Sequence, residues 1–171
     1  MNPLKLTALL ATLLTLQALA EEPKPQPAPR PPETATPATP ALDFGDASSQ
    51  TLTTKAWDAL GASNHAAVDA YVARCIELYA SQAATMQAAL TEPAPAATAK
   101  EHWALNDVGT CHFIRAQSKE ARGDTKAALA DYKAVTEKYA FAQCWDTKGW
   151  FWKPADASKA KIKSLEFDAL K

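Results

Sequence analysis

Apolar positions recur every three or four residues over most of the chain beyond residue 50, the spacing of one helical face. Val68, Val72, Cys75, Ile76, Tyr79, Ala83, Met86 and Leu90 keep this spacing. They predict a helix that starts after Asn64, a residue type that caps N-termini, and runs to about Leu90. Pro93 and Pro95 end it, because proline has no amide to donate and breaks a continuing helix. A shorter helix, about Thr51–Gly61, precedes it, with Trp57 and Leu60 on its apolar side and Gly61 as its stop. Thr98-Ala99-Lys100-Glu101 has the order of a capping box, in which Thr98 and Glu101 satisfy each other's free amides. A third helix is therefore expected from Thr98 to Arg122, stopping at Gly123, with Val108, Cys111, Ile114 and Ala121 as its apolar stripe. A fourth begins at Asp124 and reaches about Tyr139, with Ala128, Tyr132 and Val135 inward. Pro154 suits the first turn of a last helix continuing through Lys159–Leu170, and leaves Cys144–Lys153 as a structured loop or short turn.

Composition supports helices over strands. From Thr51 onward 29 of 121 residues are alanine, the residue that costs least to place in a helix, and no β-branched alternating run occurs. The expected fold class is all-α. The whole chain of 171 residues carries a formal net charge of −1, which excludes the clustered basic face of a nucleic-acid binder.

The N-terminal part is of another kind. Met1–Ala20 reads as a signal peptide, with Lys5 before an apolar stretch at Leu6–Leu16 and small residues at Ala18-Leu19-Ala20 for cleavage. The apolar stretch is too short to anchor the chain in a bilayer, so an exported protein is expected, periplasmic or extracellular, with no membrane span after cleavage. Eight of the 12 prolines fall in Glu21–Ala41, a composition that builds neither helix nor sheet and runs as an extended spacer. The domain reading is thus a signal peptide over 1–20, a Pro-rich disordered linker over 21–48 and a helical domain over 49–171.

The helical part resembles itself. A shift of sixty residues lays Ser63-Asn64 on Gly123-Asp124, Ala67 on Ala127, Glu77 on Glu137 and Tyr79 on Tyr139. Ala116, Gly123-Asp124, Ala128, Tyr132 and Glu137-Lys138-Tyr139 resemble the small-residue and aromatic framework of a tetratricopeptide repeat. Asn64-His65 through Tyr79 is similar to the second helix of a more degenerate copy. The resemblance implies antiparallel helical hairpins stacked in tetratricopeptide-repeat fashion. It departs from the pattern at Arg115 and Lys119, which stand where the family buries apolar side chains, and at Ala140, where a proline often ends the unit. Trp103–Cys111 and Cys144–Trp152 also look like segments of small exported bacterial repeat proteins, some of which carry a glucanase label.

Little in the sequence points to catalysis. His65, His102 and His112 share no i, i+4 spacing and no CxxC or HExxH occurs, so no metal or other cofactor is expected. His112 and Cys144 would need a third group to orient them as a catalytic pair. Glycoside hydrolysis requires two carboxyls about 5–10 Å apart. Glu101 with Asp107, or Asp107 with Asp146, are the pairs near tryptophans, and Glu101 is better used as a cap. The expectation is a protein without enzymatic activity. The third cysteine makes the count odd. Cys75 and Cys111 lie on helix faces that should meet, so they are the pair to bridge; free thiols filling the core are the competing reading.

Two surfaces remain for binding. Asn106, Thr110, Phe113, Gln117 and Glu120 share one face of the third helix, opposite its apolar stripe. In the repeat family this face lines a groove for extended peptides, so a protein-interaction module with a protein or peptide partner is the expected function. Trp145, Trp150 and Trp152 supply the alternative, an aromatic platform for wall polysaccharide, unless they seal the end of the helical stack. Two hairpins are few for a stable array, which leaves self-association open.

Overall fold

The computed structural model describes residues 41–170. The expected signal peptide and most of the expected linker lie outside them. The last residues assigned to that linker, 43–48, make contacts with the helices. Lys55 Nζ pairs with Asp43 at 2.9 Å, the Phe44 ring meets Tyr71 edge-on at 5.4 Å, and the Tyr79 hydroxyl donates to the Ala47 carbonyl at 2.9 Å. Residues 43–47 are thereby fastened to the first two helices.

Five helices follow: α1 (Ser49–Gly61), α2 (His65–Ala88), α3 (Trp103–Ala121), α4 (Thr125–Lys138) and α5 (Pro154–Asp168). Their starts obey local chemistry. Ser48 Oγ accepts from the Thr51 amide, and Asn64 and Asp124, sixty residues apart, each accept from the amide three residues on. Pro154 occupies the first turn of α5, where its missing amide costs nothing. None of the described helices is long and apolar enough to cross a membrane.

The capping box at Thr98 does not form. The Thr98 hydroxyl turns back to the Pro95 carbonyl, Ala99–His102 makes a 3-10 turn, and α3 starts five residues later than expected, at Trp103. Asn106 fastens that turn by donating to the Ala99 carbonyl at 2.8 Å.

The expected loop at Cys144–Lys153 is in fact an antiparallel hairpin of β1 (Cys144–Asp146) and β2 (Trp150–Trp152), pairing Trp145 with Phe151 and Asp146 with Trp150. Asp146 Oδ1 accepts the Lys148 amide, and Gly149 takes the left-handed φ of +98° that closes a three-residue loop. The fold is therefore mostly helical, with one small sheet.

Two apolar clusters hold it together. Leu52, Val68, Val72, Leu105, Val108 and Ile114 fill the space between α1, α2 and α3. Phe113, Ala116, Ala128, Tyr132, Val135 and Ala155 join α3, α4 and α5, with Trp57 and Trp152 laid against them. Arg115 and Lys119, odd for a buried face, are explained by Asp131 on α4. Arg115 Nη2 (2.6 Å), Lys119 Nζ (2.8 Å) and His112 Nδ1 (3.0 Å) all donate to its carboxylate.

Gly109 lets the segment after α4 cross α3 closely. A Cβ there would stand 2.6 Å from the Ala142 Cβ and 3.2 Å from the Tyr139 Cβ. Gly109→Ala should therefore lose about 1–2 kcal/mol, overpacking outweighing the gain in helix propensity. Urea unfolding of the two proteins checks this, and a more stable variant would show that the crossing yields freely.

Candidate binding cleft

The first turn of α1, the N-terminal half of α3 and the hairpin do not close on one another. They leave a cleft of about 810 Å³. Its position follows from helix periodicity: Trp103, Asn106, Asp107 and Thr110 stand three and four residues apart and share one face of α3. Ser49 and Thr53 of α1 face them, and Trp145 and Phe151 come from the hairpin.

The walls are aromatic and partly bare. Trp103 is 40% exposed and rests edge-on against Tyr79 at 5.7 Å. Trp145 is 50% exposed, meets Phe151 edge-on at 5.0 Å, and has Lys100 Nζ over its ring at 5.4 Å from the centroid.

The floor is polar. Asp107 Oδ2 accepts a short hydrogen bond from the Ser49 hydroxyl. Burial pushes the Asp107 carboxyl above its usual range, opposed by that bond from Ser49. Among the described residues no cation pairs with it. Thr110, 1% exposed, has its hydroxyl buried at the floor, within hydrogen-bond reach of the Cys144 thiol. Cys144 lines the cleft as a thiol, its pKa raised by burial.

The five residues expected to form one binding face are divided by the structure. Asn106 and Thr110 line the cleft, but both ends of the Asn106 amide are occupied, its Oδ1 accepting from the Gln143 amide at 2.8 Å. Phe113 is not on an open face: it is 6% exposed, with Tyr132 at 5.7 Å and Trp152 at 5.3 Å. Gln117 has its Oε1 buried outside the cleft. Glu120 ties three helices, accepting from the Tyr132 hydroxyl at 2.7 Å and from Lys161 Nζ at 2.8 Å. The α3 groove of five residues is thereby corrected, because α5 and Trp152 fold back over its second half.

The tryptophans divide as well. Trp145 and Trp150, the latter 53% exposed, stand on ladder positions of opposite parity and so on opposite faces of the hairpin. Trp152 is packed against Phe113. One flat platform of all three does not exist, and the sealing role falls to Trp152 alone.

The remaining sequence candidates are also placed. Cys75 and Cys111 meet in the core between α2 and α3 as free thiols in hydrogen-bond contact, and no bridge joins them. The contact with Cys75 and burial hold the Cys111 thiol well above its usual pKa. His112 stacks on Tyr139 beside Asp131, away from the cleft that holds Cys144. Glu101 is exposed and caps nothing with its side chain. Asp146 lines a separate shallow depression with Trp150 and Asp156. Among the described residues no three His, Cys, Asp or Glu side chains converge to hold a metal.

Sequence reasoning missed Trp103, Lys100 and Ser49 as site residues and considered Asp107 only for hydrolysis. The signal was present in the spacing: Trp103 and Asp107 are i and i+4 on the face already marked by Asn106 and Thr110. Compared with known proteins, the chain matches no family model, and no curated protein or solved structure is significantly similar to it.

Proposed function

We propose that this chain is an exported protein whose helical domain is a non-catalytic binding module, receiving an extended peptide segment of a partner protein in the cleft between α1, α3 and the hairpin. The observation that carries this reading is the presence of two half-bare tryptophans, Trp103 and Trp145, on one cleft with the Asp107 carboxyl, which takes no cation among the described residues. Aromatic-lined grooves suit extended, proline-bearing segments, which lose little entropy on docking. The α3–α4 pair, with Ala116 and Ala128 fully buried and Tyr132 wedged beside them, supports a tetratricopeptide-type hairpin, and α1–α2 would be its longer, degenerate copy.

The test is retention of display-selected peptides by the full chain. Trp103→Ala with Trp145→Ala should abolish retention and leave the melting temperature nearly unchanged, since both rings are half in solvent. Trp150→Ala should retain as well as the parent. The exposure of Trp150 favours a second reading, a polysaccharide-associated surface on the other side of the hairpin. Wall polysaccharide retained by the parent and lost on Trp150→Ala would replace the peptide reading. Export is checked by the mass of the secreted chain, expected to begin at Glu21.

A further inference from the structure

Resting on the cleft as the binding site, the geometry points to its ligand chemistry: we infer that the cleft takes the ammonium of a lysine side chain on the bound peptide, between the Trp145 ring and the Asp107 carboxylate. Two observations carry it independently. The Trp145 face already holds a cation in the free protein, the Lys100 ammonium at 5.4 Å. Asp107, on the same cleft, is a carboxyl without a cation among the described residues, its only hydrogen bond coming from Ser49.

Charge decides between ligand classes. An uncompensated carboxylate in a partly dry cleft is costly, and a ligand bringing a cation removes that cost. A neutral sugar would stack on Trp103 and Trp145 and leave the charge unpaired. An acidic ligand would meet Asp107 as a like charge. Lys100 is exposed and reaches the ring on a flexible stem, so it is a resident competitor that an incoming ammonium displaces.

Proton linkage adds a signature. The groups that interact with Asp107 are the Ser49 hydroxyl from α1, the Cys144 thiol from β1 and the Cys111 thiol on its own helix, and Lys100 and Tyr79 line the same cleft. Burial raises the Asp107 carboxyl, whereas a bound ammonium favours its ionised form. Affinity for a lysine peptide therefore rises with pH through the Asp107 pKa and levels off above it.

The probes are acetyl-Ala-Pro-Lys-Pro-Ala-amide and the same peptide with norleucine or glutamate in place of lysine, titrated against the full chain by calorimetry. The lysine peptide should bind about tenfold tighter than the norleucine one. Asp107→Asn should erase that preference and flatten the pH dependence while the norleucine peptide binds as before. Lys100→Met, which keeps the stem and removes the competing charge, should tighten the lysine peptide several-fold. Saturating lysine peptide should also slow maleimide labelling of Cys144. Equal binding of the lysine and norleucine peptides, or weaker lysine binding in Lys100→Met, overturns the cation assignment and leaves the binding module standing. Absence of binding by all three peptides, with display-selected peptides indifferent to Trp103→Ala, overturns both.

Discussion

Asp131→Ala is expected to destabilise the protein by about 3 kcal/mol, the lower end of what removing one partner of a buried ion cluster costs. Asp131 is 4% exposed and holds Arg115, Lys119 and His112 on one carboxylate. Without it two permanent cations are left on the buried side of α3. Lys119 can swing its ammonium toward water, which keeps the loss from the upper end of the range. The variant Asp131→Leu with Arg115→Met and Lys119→Met removes charge on both sides, and should recover most of the stability that Asp131→Ala loses. Acid behaviour has the matching sign. Burial alone would raise the Asp131 carboxyl, but hydrogen bonds from His112, Arg115 and Lys119 win and hold it well below the usual carboxylate range. A depressed folded-state pKa means stability that is complete above the unfolded value near 3.8 and is lost as pH falls below it. Urea unfolding between pH 6 and pH 3 should thus show a steeper acid limb in the parent than in Asp131→Asn. Equal limbs, with a loss under about 1 kcal/mol for Asp131→Ala, would mean that the cluster relaxes into solvent.

What the sequence revealed and concealed divides along physical lines. Local signals were legible: the Asn64 and Asp124 caps, Gly123 as a stop, and Pro154 as the first turn of α5 all act within a few residues of themselves, whereas Gly61 stays helical and the left-handed turn after α1 falls on Ser63. Thr98 misled because a hydroxyl has two partners within reach, and the carbonyl left by the Pro93–Pro95 segment won over the amide ahead. The hairpin was concealed by brevity. Three residues per strand are too few to show alternation, although Asp146-Thr147-Lys148-Gly149 between aromatic residues carries its turn chemistry. Arg115 and Lys119 looked like departures from a buried face because their partner lies 16 and 12 residues away on the next helix. The binding face failed for the same reason at longer range. Periodicity says which residues share a side of α3 and nothing about which parts of that side α1, the hairpin and α5 will cover. The half near Trp103 stays open; the half from Phe113 onward does not.

Phe113→Ala should cost about 3–5 kcal/mol, the usual loss for a buried phenylalanine. The ring sits where α3, α4, α5 and the hairpin converge, against Tyr132 and Trp152 edge-on and Trp57 tilted at 6.4 Å. None of these neighbours can collapse fully into the space it leaves, because Ala116, Ala128 and Ala155 around it are small and fixed on helices. Trp152→Ala should be costly for the same reason, and the two losses should not add, since each removes part of the same contact. A double-mutant cycle by urea unfolding measures that coupling, expected at about 0.5–1.5 kcal/mol for an edge-on aromatic pair. The cleft supplies the contrast. Trp103→Ala and Trp145→Ala remove rings of greater volume than Phe113 but about half in solvent, so each should cost far less stability than Phe113→Ala. Bulk that stabilises is at Phe113 and Trp152; bulk held at a cost in exposed apolar surface is at Trp103 and Trp145, where a ligand can use it. A loss under about 1 kcal/mol for Phe113→Ala would invert that division, reopening the whole face of α3 as the binding surface.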